Sequence, residues 1–216
     1  MDKLKVCFLG NWYLGAKVLE ELADKVTITT VISTVKDDKF SKLVKNVAQS
    51  KKIDFFDTLS SDWKEILLIN KYDLIISVSF DYLLSSELYE KSKYGAINLH
   101  QSLLPKYRGR DPIVNAMLNN EENIGFSIHY IDEGIDTGKI LFQASWPISL
   151  SDTLQTINLK TAVFAKSVLY EVINKIIITD KSQGYIQIGE VSLAPKLQKI
   201  AWNKKVIDIR KEYALQ

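Results

Sequence analysis

Asn98, His100 and Asp136 are the residues of this chain whose types and spacing best suit acyl chemistry. Asn98 and His100 close a short run, Tyr94-Gly95-Ala96-Ile97-Asn98-Leu99-His100, that reads as a strand. Side chains alternate faces along a strand. Ile97 and Leu99 therefore share one face, and an amide and an imidazole project together from the other. Asp136 follows in Asp132-Glu133-Gly134-Ile135-Asp136-Thr137-Gly138, a Gly-flanked loop able to return to that face. An amide donor, a basic imidazole and a carboxylate are the parts needed to move an acyl group onto an amine. An imidazole with an ordinary pKa near ~6.5 is the natural base for an amine proton. One amide donor aimed at a developing oxyanion is worth ~3 kcal/mol. A carboxylate beside the imidazole is expected to favour its charged form and raise its pKa. Taken singly, Asn98 also fits a strand-end turn and Asp136 a tight loop; their combination with His100 points to chemistry. Asp132 and Glu133 fit the turn role better. The chain has 2 histidines, and the second, His129, has no such partner and reads as structural.

The elements that must position these groups alternate through the first half. Leu4 to Leu9 reads as a buried strand ending at Gly10, and 14–23 carries apolar residues at helical spacing. Val26 to Ile32 reads as a strand, Phe40 to Ser50 as a helix, and Ile53 to Phe56 as a weak strand. Ser61 caps a helix to about Ile69, Leu74 to Val78 is a strong buried strand, and Ser85 caps a helix over Glu87 to Glu90. This alternation predicts an α/β fold: a Rossmann-like, mostly parallel sheet with helices on both faces. Ligands of such sheets bind outside the carboxyl ends of the strands, where Asn98 and His100 fall. In the second half, Asp111 or Pro112 opens a helix to about Asn119. Ile124 to Ile131 and Lys139 to Trp146 read as two strands around the Asp136 loop, and Ser151-Asp152 begins a long helix to about Ile177. Residues 185–202 read as irregular or strand-like, and the last dozen as a short helix. The expected organisation is a catalytic domain over 1–180 and a short C-terminal extension over 181–216.

Composition narrows the class. The chain has 216 residues, 46% apolar and 25% charged, with a net charge of +2. These values suit a globular protein with a sizeable core and give no global argument for nucleic acid. The 1 cysteine, Cys7, lies in an apolar run and permits no internal disulfide, which fits a cytoplasmic protein. Lys3 and Lys5 precede an apolar run too short for a signal peptide, and no stretch approaches the ~20 residues of a membrane span. There is no Cys/His cluster, and no metal is expected.

Two further loops carry candidate groups. Gly10-Asn11-Trp12-Tyr13-Leu14-Gly15 joins the first strand to a helix. Trp12 breaks G-x-G-x-x-G, and Ala16-Lys17 stands where a P-loop needs Lys-Ser/Thr, so neither nucleotide motif is present. The turn can still meet a ligand through backbone N–H groups, and Trp12 and Tyr13 offer stacking surfaces. Pro105-Lys106-Tyr107-Arg108-Gly109-Arg110-Asp111 sets three cations beside the Asn98/His100 strand, with arginine the usual fork for phosphate or carboxylate. The same loop also fits a solvated charged turn.

Three stretches together resemble the folate-dependent formyltransferases: Asn98 to Gly109, Asn119 to Ile124, and His129-Tyr130-Ile131-Asp132-Glu133-Gly134-Ile135-Asp136-Thr137-Gly138. This core covers about residues 73–145; the N-terminal third agrees mainly in architecture. The resemblance implies that Asn98, His100 and Asp136 are the catalytic triad and that N10-formyltetrahydrofolate is the formyl donor. It implies that the donor's pterin lies against the segment of Phe80, Tyr82, Leu83 and Leu84 and the loop of Ile131, Asp132 and Glu133. Asn98 and protonated His100 would stabilise the oxyanion, while a water or carboxylate chain takes the amine proton. The resemblance also suggests a cis Leu104-Pro105 bond.

Among acceptors, methionyl-tRNA enzymes carry a basic insertion after the second strand and a C-terminal barrel domain. Here Thr34 to Lys42 is short and little follows the long helix. Glycinamide ribonucleotide enzymes carry a Gly/Ser-rich phosphate loop that Gly10 to Gly15 does not match. Tyr107-Arg108-Gly109-Arg110-Asp111-Pro112 and Ala194-Pro195-Lys196-Leu197 look most like enzymes that formylate nucleotide-linked amino sugars. The expected acceptor is such a sugar, a precursor of surface polysaccharide, with Trp12, Tyr13, Lys106, Arg108 and Arg110 as candidate contacts. The resemblance leaves room for a homodimer. Two rivals use the same site: a hydrolase with water in place of the amine, and a non-catalytic ligand-binding module.

Overall fold

Both faces of strand β1 (Lys5–Gly10) are apolar: Val6 and Phe8 are buried on one side, Cys7 and Leu9 on the other. Such a strand must lie inside a sheet with cover on both faces. The computed structural model, which describes residues 4–180, 183–197 and 200–213, places it there. β1 is flanked by β2 (Thr27–Ser33) and β4 (Leu74–Val78). β3 (Asp54–Asp57) lies beyond β2, and β5 (Ala96–His100) beyond β4. These five strands are parallel. β7 (Asn123–Tyr130) and β8 (Ile140–Pro147) continue the sheet antiparallel, giving the order β3-β2-β1-β4-β5-β7-β8. This is the mostly parallel α/β architecture expected from the strand–helix alternation.

The helices segregate by face. Helix α1 (Trp12–Leu22), α2 (Leu43–Ser50) and the long α6 (Leu154–Ile178) pack their apolar stripes against Val6, Phe8, Ile76, Ile97 and Leu99. Helix α3 (Trp63–Ile69) and the short α4 (Ser86–Tyr89) cover Cys7, Leu9, Ile75 and Ala96 on the opposite face. Ile97 and Leu99 thus point into the α1/α6 core. Asn98 and His100 lie on the other face, as alternation demands. A third apolar cluster joins helix α5 (Pro112–Leu118) to the start of α6 and to helix α7 (Val206–Tyr213). Residues 214–216, the end of the helix expected over the last dozen, lie outside the described residues. Residues 181–182 at the expected extension boundary, and 198–199 in the tail, also lie outside them.

Several ends shift for local reasons. Asp62, not Ser61, caps α3 by accepting the Glu65 N–H at 3.1 Å. α2 starts at Leu43 rather than Phe40, because the Asp38 carboxylate takes the N–H groups of Phe40 and Ser41, each at 2.9 Å. Thr153 caps α6 in a reciprocal box with Thr156. Asp152, expected to open that helix, instead pairs with Lys160 at 2.8 Å. A two-stranded ribbon forms from β6 (Arg108–Gly109) and β9 (Leu193–Ala194).

A Thr-to-Ala change at a helix N-cap costs about 1 kcal/mol. Thr153→Ala is expected to lower the unfolding free energy by that amount, read as a lower urea midpoint at an unchanged m-value by far-UV circular dichroism; an unchanged midpoint would show that the cap is not needed.

Candidate active site

Strand pairing assembles the site. Antiparallel register sets His129 opposite Asn98 and Ser127 opposite His100. Directly opposed residues point to the same face, so four polar side chains form a patch at the carboxyl end of β5. Ser127 serves the backbone: its Oγ accepts the Leu104 N–H at 3.1 Å and donates to the Ser102 carbonyl at 2.7 Å. The loop between β7 and β8 then folds Asp136 back over the patch. Gly138 permits the closure, since a Cβ there would meet the Tyr130 carbonyl oxygen at 1.8 Å.

The Asp136 carboxylate is the hub. Its Oδ1 accepts from Asn98 Nδ2 at 3.2 Å and lies 3.3 Å from His129 Nε2. Its Oδ2 accepts the Gly109 N–H at 2.8 Å and lies 3.4 Å from His100 Nδ1. Both imidazoles are buried, and each is anchored through its other nitrogen. His100 Nε2 meets the Tyr107 carbonyl at 2.7 Å, and His129 Nδ1 meets the Tyr130 carbonyl at 2.8 Å. A carbonyl only accepts, so both anchored nitrogens carry protons. The remaining nitrogen of each ring faces one carboxylate.

Burial pushes the His100 pKa below the ordinary imidazole range, against the opposing pull of Asp136 and the Tyr107 carbonyl. Asp136 pulls it upward as expected, but the net shift is downward, because the desolvation of a buried ring outweighs the neighbouring charge. For Asp136, burial alone would raise the pKa. The hydrogen bond with His129, the charges of the two rings and the Gly109 N–H overcome it and hold the carboxyl well below the usual carboxylate range.

His129 is likewise not the isolated structural residue the sequence suggested. Its Nε2 is 3.2 Å from Asn98 Nδ2 and 3.3 Å from Asp136 Oδ1. With Nε2 unprotonated, it accepts one N–H of Asn98, while Asp136 takes the other. With Nε2 protonated, it donates to Asp136 and releases one Asn98 N–H. The β5–β7 register, which local patterning does not specify, is what brings it in.

The two segments assigned to the pterin lie together. Phe80 and Tyr82 pack against Trp63 with ring centroids 5.4 and 5.3 Å away. Leu84 is buried in the cluster that Phe80 and Ile131 border, and Leu83 is exposed. Asp132 accepts within its own loop from the Gly134 N–H and the Thr137 hydroxyl, and Glu133 is exposed. The acceptor candidates scatter. Trp12 is partly exposed beneath the Lys36 ammonium, 5.6 Å from its ring centroid. Tyr13 lines a shallow cleft between α1 and α2. Lys106 is engaged with Glu121 at 3.1 Å rather than with the Asp136 cluster. Arg108 binds Gln187, and Arg110 is exposed. The Leu104-Pro105 bond is cis. Among the described residues no group of three or more His, Cys, Asp or Glu is arranged to hold a metal, and no helix is long and apolar enough to cross a membrane.

Because the folded Asp136 pKa lies below its unfolded value, its carboxylate stabilises the fold above the unfolded pKa, and that contribution is lost as pH falls through the folded one. The stability gap between wild type and Asp136→Asn should therefore narrow progressively as pH falls from about 5 to about 2. Urea titrations across that window check it; a gap independent of pH would contradict the assignment.

The chain matches the Formyl transferase family over residues 8–173. It is 41% identical over 138 residues to the methionyl-tRNA formyltransferase of Thermodesulfovibrio yellowstonii, covering 61% of this chain and 44% of the relative. It is 34% identical over 203 residues to that of Kosmotoga olearia, covering 89% and 62%. The chain thus spans less than two thirds of either relative. Among solved structures, the sugar 3N-formyltransferase WlaRD, determined with dTDP and 5-N-formyl-THF, aligns with a TM-score of 0.66 at 26% identity, over 87% of this chain and 68% of its own. With the matched region spanning β1 to α6 and enclosing Asn98, His100, His129 and Asp136, this chain belongs to the Formyl transferase family.

Proposed function

We propose that the protein transfers a formyl group from N10-formyltetrahydrofolate to the amine of a nucleotide-linked amino sugar. The observation that carries the transfer reading is the convergence of Asn98, His100 and His129 on the Asp136 carboxylate. The folate donor supplies the formyl carbon. In the reaction an acceptor amine bonds to that carbon, the bond between carbon and the donor nitrogen breaks, and the proton the amine gives up balances the one the departing donor nitrogen takes on to become tetrahydrofolate. Asn98, less buried than either histidine, offers to the negative charge developing on the formyl oxygen the amide N–H that a protonated His129 Nε2 releases. His100 is held largely neutral by burial while free. New negative charge nearby raises its proton affinity, so it gains a proton when one is needed. Asp136 compensates that imidazolium and fixes the ring's orientation. The segments 80–84 and 131–133 support the pterin placement, with exposed residues Tyr82, Leu83, Asp132 and Glu133 beside an aromatic cluster.

Three observations support the sugar acceptor. The connection between β2 and α2 is short, the net charge is +2, and a sugar 3N-formyltransferase is among the structural neighbours. Partly exposed Trp12 under Lys36 presents a stacking face and a cation suited to a nucleoside diphosphate. A second reading, formylation of methionyl-tRNA, is favoured by the curated relatives at 41% and 34% identity.

Donor turnover, followed by absorbance as N10-formyltetrahydrofolate becomes tetrahydrofolate, separates these readings. The panel holds nucleotide-linked 3-amino and 4-amino sugars, glycinamide ribonucleotide, methionyl-tRNA and a blank without acceptor. Turnover with an amino sugar alone is expected. Turnover with methionyl-tRNA alone would transfer the protein to the second reading, and turnover in the blank would make it a hydrolase. His100→Ala should lower kcat by roughly 10²–10⁴-fold and Asn98→Ala by about 10²–10³-fold, both with native circular dichroism. A His100→Ala enzyme with near-wild-type kcat would refute the mechanism.

A further inference from the structure

The segment 185–197 lies outside the residues matched to the family, yet it holds the backbone that bears the site. Its Ser192 accepts the Tyr107 N–H through Oγ at 2.9 Å and the Arg108 N–H through its carbonyl at 3.0 Å. Ala194 accepts the Arg110 N–H at 2.8 Å. Within this strap the usual partition is inverted: Ile186 and Ile188 are 65% and 82% exposed, while Gln187 between them turns inward. Hydrophobic burial alone would turn the isoleucines in, so the strap is registered on the amide.

That amide is fully used. Gln187 Oε1 accepts from Arg108 Nε at 3.1 Å and from Arg108 Nη2 at 2.6 Å. Its Nε2 donates to the carbonyls of Asp136 at 2.8 Å and of Gly138 at 2.9 Å. Two acceptor contacts and two donor contacts exhaust the capacity of a primary amide. The carbonyl it takes from Asp136 belongs to a non-glycine residue at φ 51°, a conformation that persists only where its surroundings hold it. The other end grips Arg108, whose neighbour Gly109 supplies the N–H to Asp136 Oδ2.

We propose that Gln187 is a positioning residue for the reaction centre: by tying the Arg108 guanidinium to the Asp136 and Gly138 carbonyls, it sets the Asp136 carboxylate against His100. The consequence for kcat rests on the formyl-transfer reading; the positioning itself does not. It assigns Arg108, first read as an acceptor contact, to holding the loop.

Two variants and two readouts test it. Gln187→Met keeps the length and removes all four hydrogen bonds. Gln187→Glu keeps acceptors for Arg108 but turns oxygen toward both carbonyls. With the acceptor found active, both should lower kcat roughly 10–100-fold, the scale of a 1 Å misplacement, with KM for donor and acceptor changed less than about threefold. In the free protein, NMR of the His100 ring should show its titration moving to lower pH, because Asp136 drifts away while His129 and burial remain. Tyr185→Phe, which removes a hydroxyl bonded to Gln143 on the same strap, should leave both readouts at wild type. Wild-type kcat and an unmoved His100 titration in both Gln187 variants would overturn the proposal. So would a Gln187→Glu protein that behaves as wild type. If no acceptor is turned over by the wild type, the formyl-transfer reading fails while the His100 titration still decides the role of Gln187.

Discussion

One buried carboxylate sets the terms for the rest of the site. A charge removed from water is costly unless it is paired and hydrogen-bonded. Asp136 meets that demand with two N–H donors, from Asn98 and Gly109, and two imidazoles. These four partners come from three elements: β5, the β6 ribbon and β7. Satisfying the charge therefore fixes the relative placement of three segments that no apolar contact would locate as closely. The two histidines are pinned at their far nitrogens by backbone carbonyls, so their near nitrogens face the carboxylate, that of His129 alongside the Asn98 amide. The ring that desolvation keeps neutral thus stands beside a charge ready to compensate it.

A stiff sheet and an irregular rim divide the work. β5 and β7 hold Asn98, His100 and His129 in register through paired backbone. The rim carries left-handed, non-glycine residues at Tyr107, Asp111 and Asp136, each a conformation disfavoured by about 1–2 kcal/mol for an L-residue. The site draws on two of them: the Tyr107 carbonyl anchors His100, and the Asp136 side chain is the hub. The strap at 185–197 supplies the hydrogen bonds that keep this rim in shape. The cluster of Tyr107, Ile113, Ala194 and Val206 gives that strap an apolar footing.

What the sequence disclosed follows from the range of each signal. Alternation along 94–100 placed Asn98 and His100 on one face and Ile97 and Leu99 in the core, since that signal is carried by neighbouring residues. The Asp136 loop was visible from its glycines. His129 escaped because its importance comes from cross-strand register, and an eight-residue strand read alone has no partner. Gln187 escaped for the same reason at longer range: an amide between two isoleucines carries no local mark of a contact with Arg108 and Asp136. The His100 pKa was misjudged because a nearby carboxylate can be read from spacing, whereas the depth of burial that outweighs it cannot. Asp62 rather than Ser61 caps α3, and Thr153 rather than Asp152 opens α6, because adjacent polar residues look alike in sequence and only the fold sets which one reaches the N–H three residues on.

The account rests on a charged Asp136 facing a His100 that is neutral and protonated on Nε2 in the free protein. NMR of ¹⁵N-labelled histidine across pH reports both tautomer and titration for His100. The prediction is an Nε2–H tautomer at neutral pH, with a midpoint below about 6.5. An Nδ1–H tautomer, or a midpoint above the ordinary value, would contradict the arrangement on which the proposed chemistry depends.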